Sequence, residues 1–470
     1  MKSVRKISLL AIAALVLIAF AACQGRGQGS SGKGTARSWP GPAPQDLGGV
    51  VFKIADFYGN RFAPLPEDLG TAEGDLKAMI IKSIEDDFNV KFQVMHYGAD
   101  ETFYRLRPAV MSGDLFAHMI VGTQWSYGQF IGSGLLGDLK KVPALNLDNG
   151  IWMKSVHNAT TINGEVFATA GIVDLWQTTV AMFFQKSLWN ELNLPDPYEL
   201  VRRGEWTWDK LLEFAIIAAA DMTGDGVISG PNDRWGMLGA GDDLLRAWYT
   251  SMGGLYYDVD PATGRLYSPA ATPDGIAIAN WMRAFTEVPG AWYGEHGQTD
   301  DTRNEMFVNR RALFSVGFIE PPEAFRQMHD DFGILPMPKR NVQQKTYLNN
   351  VNHNAALIAI TRTNNQLEET GIIMEALAAR FADVRALQQS DLRNVMLRSE
   401  EDEEMLDYII PYTVFDMSHI LFRAGNGFEI PHARLTDYVT MHAIGDFASA
   451  IEAEREAMEL GVNEFMGIKR

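Results

Sequence analysis

Downstream of Val50 the apolar positions fall into two alternating periods. "VVFKIADF" reads as a strand, and residues 72–88 then place Leu76, Met79, Ile80, Ile84 and Phe88 at helical spacing. "VKFQVMHY" sets Val90, Phe92 and Val94 against Lys91 and Gln93, the period of a strand. "ETFYRLRPAVMSG" predicts a second helix, followed by the apolar strand "AHMIV". Strand, helix, strand, helix, strand predicts an α/β unit with a mainly parallel sheet. In such sheets ligands bind beyond the carboxyl ends of the strands. Those ends are "YGNRF", "YGADE" and "GTQWSYG", rich in rings and hydrogen-bonding groups and poor in catalytic ones.

Beyond Trp176 the periodicity turns helical. "EWTWDKLLEFAIIAAAD" offers Thr207 as N-cap ahead of a stripe of Leu211, Leu212, Ala215, Ile216 and Ala219. "TPDGIAIANWMRAF" offers Thr272 as N-cap with Pro273 at the first helical position. "RNEMFVNRRALFSVG" passes from a helix into a strand, and "DFGILPMPK" is a strand running into prolines. A second α/β unit is expected, with the chain returning to the first around 310–365.

The front of the chain has a different character. Lys2, Arg5 and Lys6 precede an apolar run from Leu9 to Ala22, shorter than the roughly 20 residues of a membrane-spanning helix. Residues 1–22 therefore read as a signal peptide. The run ends in "FAAC", which resembles a bacterial lipobox and makes Cys23, the only cysteine, a lipidation site. The alternative is cleavage after Ala22 with a free thiol. Residues 23–45 are Gly-, Ser- and Pro-rich and read as a flexible tether. Gly27, Gly29 and Gly32 match a dinucleotide-binding spacing, and Gly27 to Lys33 most of a phosphate-binding loop. Neither has the strand before it and helix after it that would hold a phosphate.

Net charge is −18 over 470 residues, which argues against nucleic acid or anionic lipid as the ligand. With a single cysteine, the body relies on its apolar cores and not on disulfides. It is long enough for two domains.

"MFFQKSLWNELNLPDPYELVRRGEWTWDKLLEFA", an Asp/Gly loop and "DRWGM", in that order, resemble the central region of bacterial family 1 extracellular solute-binding lipoproteins. "NEMFVNRRALFSVG" and "DFGILPMPK" are similar to later segments of that family. The resemblance implies a two-lobe periplasmic-binding-protein-like fold. Each α/β lobe would be a mainly parallel sheet flanked by helices, with a hinge between: residues 46–175 and 311–365 in lobe 1, and 176–310 and 366–470 in lobe 2. It further implies capture of a small molecule, a sugar or oligosaccharide in many relatives, and delivery to an inner-membrane ABC permease. On this reading the protein is exported, held to the membrane by its anchor, monomeric, and needs no cofactor for its work. A lipoprotein binding module that feeds a sensor shares these sequence features.

The loop "DMTGDGVISGPND" reads as a degraded calcium loop of the EF-hand kind. Asp221, Thr223, Asp225 and the Val227 carbonyl fall at ligand positions, and Gly226 permits the sharp turn. Asn232 stands where a bidentate glutamate would close the site, so Asp233, one residue late, is the substitute. The alternative is a plain Asp/Gly turn. An enzyme is disfavoured: no H-E-x-x-H occurs, the nine histidines lack metal-ligand spacing, and no carboxylate pair stands out by context. For a saccharide, rings supply stacking faces and amides or carboxylates bind hydroxyls. Position then selects Tyr58, Trp125, Asp174, Trp176, Trp248, Tyr256 with Tyr257, Phe318, Glu320, Asn352 and His353, with Asn354 beside them. Trp206 and Trp208 are assigned to the core.

Overall fold

The period-2 segments pair into two separate sheets. The computed structural model describes residues 40–172, 176–239, 242–294, 300–425 and 427–467. In chain order the principal strands are β1 (Val50–Asp56), β2 (Val90–His96), β3 (Met119–Thr123), β4 (Val180–Gln185), β5 (Trp235–Leu238), β6 (Trp292–Tyr293), β7 (Ala312–Phe318), β8 (Phe332–Leu335) and β9 (Ala356–Ile360). The first sheet has the order β9-β3-β1-β2. Strand β1 runs parallel to both neighbours, with Val50 opposite Val90 and Ile54 opposite Met119, and β9 closes the edge antiparallel to β3. The second sheet has the order β6-β5-β7-β4-β8 and is mixed. Strand β5 is parallel to β6 and β7, whereas β4 is antiparallel to β7 and β8.

Local signals set the helix starts. Thr71, Thr207 and Thr272 each accept a backbone N–H through Oγ1, from Gly74 at 3.0 Å, Lys210 at 3.3 Å and Gly275 at 3.3 Å. The buried stripe of Trp208–Ala218 is Trp208, Leu211, Phe214, Ala215 and Ala218, so Ile216 points to solvent. Met79 is likewise exposed on Ala72–Phe88, where Lys77 is buried instead and donates from Nζ to the Asn60 carbonyl.

The boundary read from sequence at residue 311 needs correction. Strands β7 and β8 belong to the second sheet, with Phe314 opposite Phe184 and Ile334 opposite Phe183, and only β9 returns to the first. The helix Leu367–Arg380, expected in lobe 2, packs with Ala382–Asp391 on Ala72–Phe88 of the first lobe. Phe381 meets Phe62 at 5.6 Å there, and Arg380 donates to Ser83 Oγ at 2.6 Å. A buried strand is apolar whichever sheet it joins, so periodicity alone cannot assign it.

Three segments cross between the sheets side by side. Asn349–Asn350 pairs in parallel with Thr413–Val414, Thr179 bridges Val351, and the Asn352 N–H donates to the Thr178 carbonyl at 2.8 Å. The short helix Met417–Leu421 then packs on Gln124–Gly132 of the first lobe. Gly128 permits that approach: a Cβ there would lie 2.2 Å from the Ile420 carbonyl oxygen.

Candidate functional site

At the carboxyl end of β1 the chain folds back on itself. The Asp56 carboxylate, fully buried, accepts N–H groups from Tyr58 at 3.0 Å and Arg61 at 2.9 Å. Burial raises its pKa against the pull of those bonds. The loop presents Tyr58, half-buried, whose hydroxyl donates to the Asn354 carbonyl. Burial pushes the Tyr58 phenol up to about 12, so it remains a donor.

At the carboxyl end of β3 a helix begins at once, Gln124–Gly132. Trp125 therefore sits in a first helical turn. The Gln124 amide donates to the Asn352 carbonyl at 2.7 Å, and the Gln124 N–H to the Ala355 carbonyl at 3.0 Å. Residues 352–355 are thereby fastened to this helix. His353 meets the Trp125 ring edge-on, with centroids 6.4 Å apart. The buried Asn352 accepts the Asn354 N–H through Oδ1 at 2.8 Å. Tyr58, Trp125, Asn352 and His353 thus gather around one loop at the lobe crossing.

Two arginines that the sequence reading passed over complete the group. The Arg61 guanidinium lies 4.2 Å from the Tyr58 ring centroid, and that of Arg423 lies 3.8 Å from the Trp125 centroid. Arg423 also pairs with Asp100 at 2.5 Å. Arg61 stood inside the quoted "YGNRF", whereas Arg423 comes from the far end of the chain and carried no local signal. Behind His353 is the buried His419, 6.2 Å away between centroids. Burial first, then the positive field of Arg246, holds its imidazole well below the ordinary histidine value.

Other expected ligand residues lie elsewhere. Trp248 is core: it stacks on Trp208 at 4.8 Å and meets Phe285 edge-on at 4.9 Å. Tyr256 is fully buried beside Tyr249 and His432, and Tyr257 is buried with its hydroxyl donating to the Gly427 carbonyl. Aromatic residues suit sugars, yet the same residues fill cores best. Phe318, exposed, and Glu320, half-buried, flank Ile319, whose N–H donates to Thr179 at the crossing. Asp174 lies outside the described residues, as does the side chain of Trp176. Trp206 and Trp208 are fully buried, as expected. A cavity of about 590 Å³ opens between the Asp258–Tyr267 hairpin and the C-terminal helices, and of the expected ligand residues only Tyr257 lines it.

In the 221–233 loop, carboxylate oxygens of Asp221, Asp225 and Asp233 lie within 4.8 Å of one another. Asp221 accepts N–H groups from Gly224 at 2.6 Å and Gly226 at 2.7 Å, and Thr223 donates to it through Oγ1. Asp233 accepts from Met222 at 2.8 Å, Thr223 at 3.0 Å and Ser229 at 2.8 Å. Backbone bonds hold both carboxyls below the usual range. Asp225 takes one such bond, from Val227 at 3.0 Å. Three carboxylates on one turn suit a hard cation, and the hydrogen bonds also close the turn without one.

Neither a protein-family model nor a curated protein sequence matches the chain. Solved structures do. UgpB from Mycobacterium tuberculosis, in complex with glycerophosphocholine, aligns at TM-score 0.57 and 16% identity, covering 88% of this chain and 99% of that one. The cyclic α-maltosyl-1,6-maltose binding protein from Arthrobacter globiformis aligns at TM-score 0.58 and 12% identity over 88% and 99%. The ABC substrate-binding protein Lmo0181 from Listeria monocytogenes, in complex with cycloalternan, aligns at 0.52 and 12% over 90% and 100%. The fold is the two-lobe, periplasmic-binding-protein-like fold. The gathered residues stand where its first sheet ends and its lobes cross.

Proposed function

We propose that this protein is an exported solute-binding protein, anchored through Cys23, that captures a saccharide between its lobes and delivers it to an ABC permease. The observation that carries this reading is the alignment over nearly the whole of both chains with binding proteins, two of the three described by a saccharide ligand. The site agrees with it. Tyr58, Trp125, Asn352 and His353 offer ring edges, amide groups and an imidazole, a set suited to orienting hydroxyls. Among the described residues no helix is long and apolar enough to cross a membrane. The three crossing segments offer the place to bend, and closure would be driven by contacts that only the closed state makes with ligand.

A thermal-shift screen against saccharides tests this. A true ligand at 100 times its dissociation constant should stabilise the fold by about 2.7 kcal/mol. The same ligand should reduce the radius of gyration in small-angle scattering. Turnover of the saccharide without compaction would overturn the reading in favour of a secreted enzyme.

A further inference from the structure

Sugar-stacking surfaces are usually bare ring faces, and the two rings at this site are not bare. The Arg61 guanidinium covers a face of Tyr58 at 4.2 Å, and the Arg423 guanidinium covers a face of Trp125 at 3.8 Å. Both stacks adjoin the same loop, through the Tyr58 hydroxyl on the Asn354 carbonyl and the edge contact of Trp125 with His353. Each of these rings therefore has a planar cation lying over one face.

Stacking holds a guanidinium in one plane, and its N–H edge then suits two-pronged recognition of a carboxylate or phosphate. Arg61 is half-buried and within salt-bridge distance of no described carboxylate, although its charge acts on the neighbouring Asp56 and on the Tyr58 hydroxyl. The adjacent acid, Asp56, spends its oxygens on the Tyr58 and Arg61 backbone N–H groups. Arg423 keeps 30% of its side chain exposed while Asp100 anchors it from one side. Uncommitted hydrogen-bonding atoms sit close by. The Trp125 Nε1 donor and the Gln124 Oε1 and Asn350 Oδ1 acceptors are buried with no partner among the described residues.

We infer that the ligand is a saccharide bearing an anionic group, a carboxylate or a phosphate, gripped by Arg61 and Arg423. The inference rests on the saccharide reading above and narrows it. The body is strongly acidic overall, so its long-range field does not favour anions, and selectivity arises from these two side chains at contact distance, inside the screening length.

Calorimetric titration of the purified protein with trigalacturonate, glucose phosphate and neutral maltotriose decides the matter, with the variants Arg61→Gln and Arg423→Gln in parallel. At least one anionic probe should bind, with maltotriose about tenfold or more weaker, the weight of one charge-assisted hydrogen bond. Which of the two binds separates a uronate from a sugar phosphate. Affinity for it should fall as salt rises, and each variant should lose about tenfold for it while its ligand-free melting midpoint stays unchanged. Maltotriose binding as tightly as the anionic probes, indifferent to both substitutions, would overturn the anionic inference and leave the saccharide reading standing. Silence of every saccharide, charged or neutral, would remove both.

Discussion

Two tryptophans expected as ligand residues have opposite fates in the structure. Trp248 is 4% exposed and stacked on Trp208, whereas Trp125 keeps part of its ring accessible at the lobe crossing. Trp248→Ala should therefore cost about 3–5 kcal/mol of stability with or without ligand, the scale of deleting a buried indole. Trp125→Ala should instead weaken ligand binding by about 1–3 kcal/mol and leave denaturant unfolding of the free protein nearly unchanged. Titration and urea melts on both variants would exchange the two assignments if the effects came out reversed. His419 makes a second residue-scale prediction. It is buried beside Arg246, His353 and His432, so its folded pKa lies well below the ordinary 6.5. Between those two values the unfolded chain binds the extra proton, so stability is present above about pH 6.5 and is lost as pH falls below it. His118 and His157 are shifted in the same direction by burial. His419→Gln should thus flatten, without abolishing, the decline of the melting midpoint on acidification. A slope identical to that of the unaltered protein would show that His419 takes up its proton equally in the folded and unfolded chain, and so is not shifted by folding.

At the scale of elements, the 221–233 loop and the contact at Gly128 each lend themselves to test. We propose that the loop holds calcium through Asp221, Asp225 and Asp233. Asp233 bonds three backbone N–H groups, so Asp233→Ala should lower the melting midpoint whether or not calcium is present. Asp225 makes a single bond within the turn, which leaves it as the more informative ligand. A chelator should lower the midpoint of the unaltered protein, and Asp225→Ala should abolish that sensitivity. Indifference to chelator would leave only the turn. Gly128 is where Met417–Leu421 closes on the helix that carries Trp125. Gly128→Ala places a Cβ 2.2 Å from a backbone oxygen that has no flexible end to swing aside. It should shift the segment leading to Arg423 and weaken ligand binding, a loss readable by the same titration.

For the molecule as a whole, the anchor is the part most open to direct test: Cys23→Ala should release the protein from the membrane fraction while its melting curve stays the same. Unchanged retention would remove the lipid anchor from the proposal. Most of what is periodic or local in this fold was legible in the chain. The strands Val50–Asp56 and Val90–His96, the caps at Thr207 and Thr272, and the buried Trp206 and Trp208 all follow from local hydrogen bonding and one-sided burial. Those terms act over a few residues, so a few residues suffice to read them. Tertiary structure alone decided which sheet receives Ala312–Phe318, that Trp248 and Tyr256 turn inward, and that Arg423 arrives over Trp125. Each depends on a partner distant in sequence. An apolar strand or an aromatic ring satisfies the same local rules in either place, and only the packing of the whole chain distinguishes them.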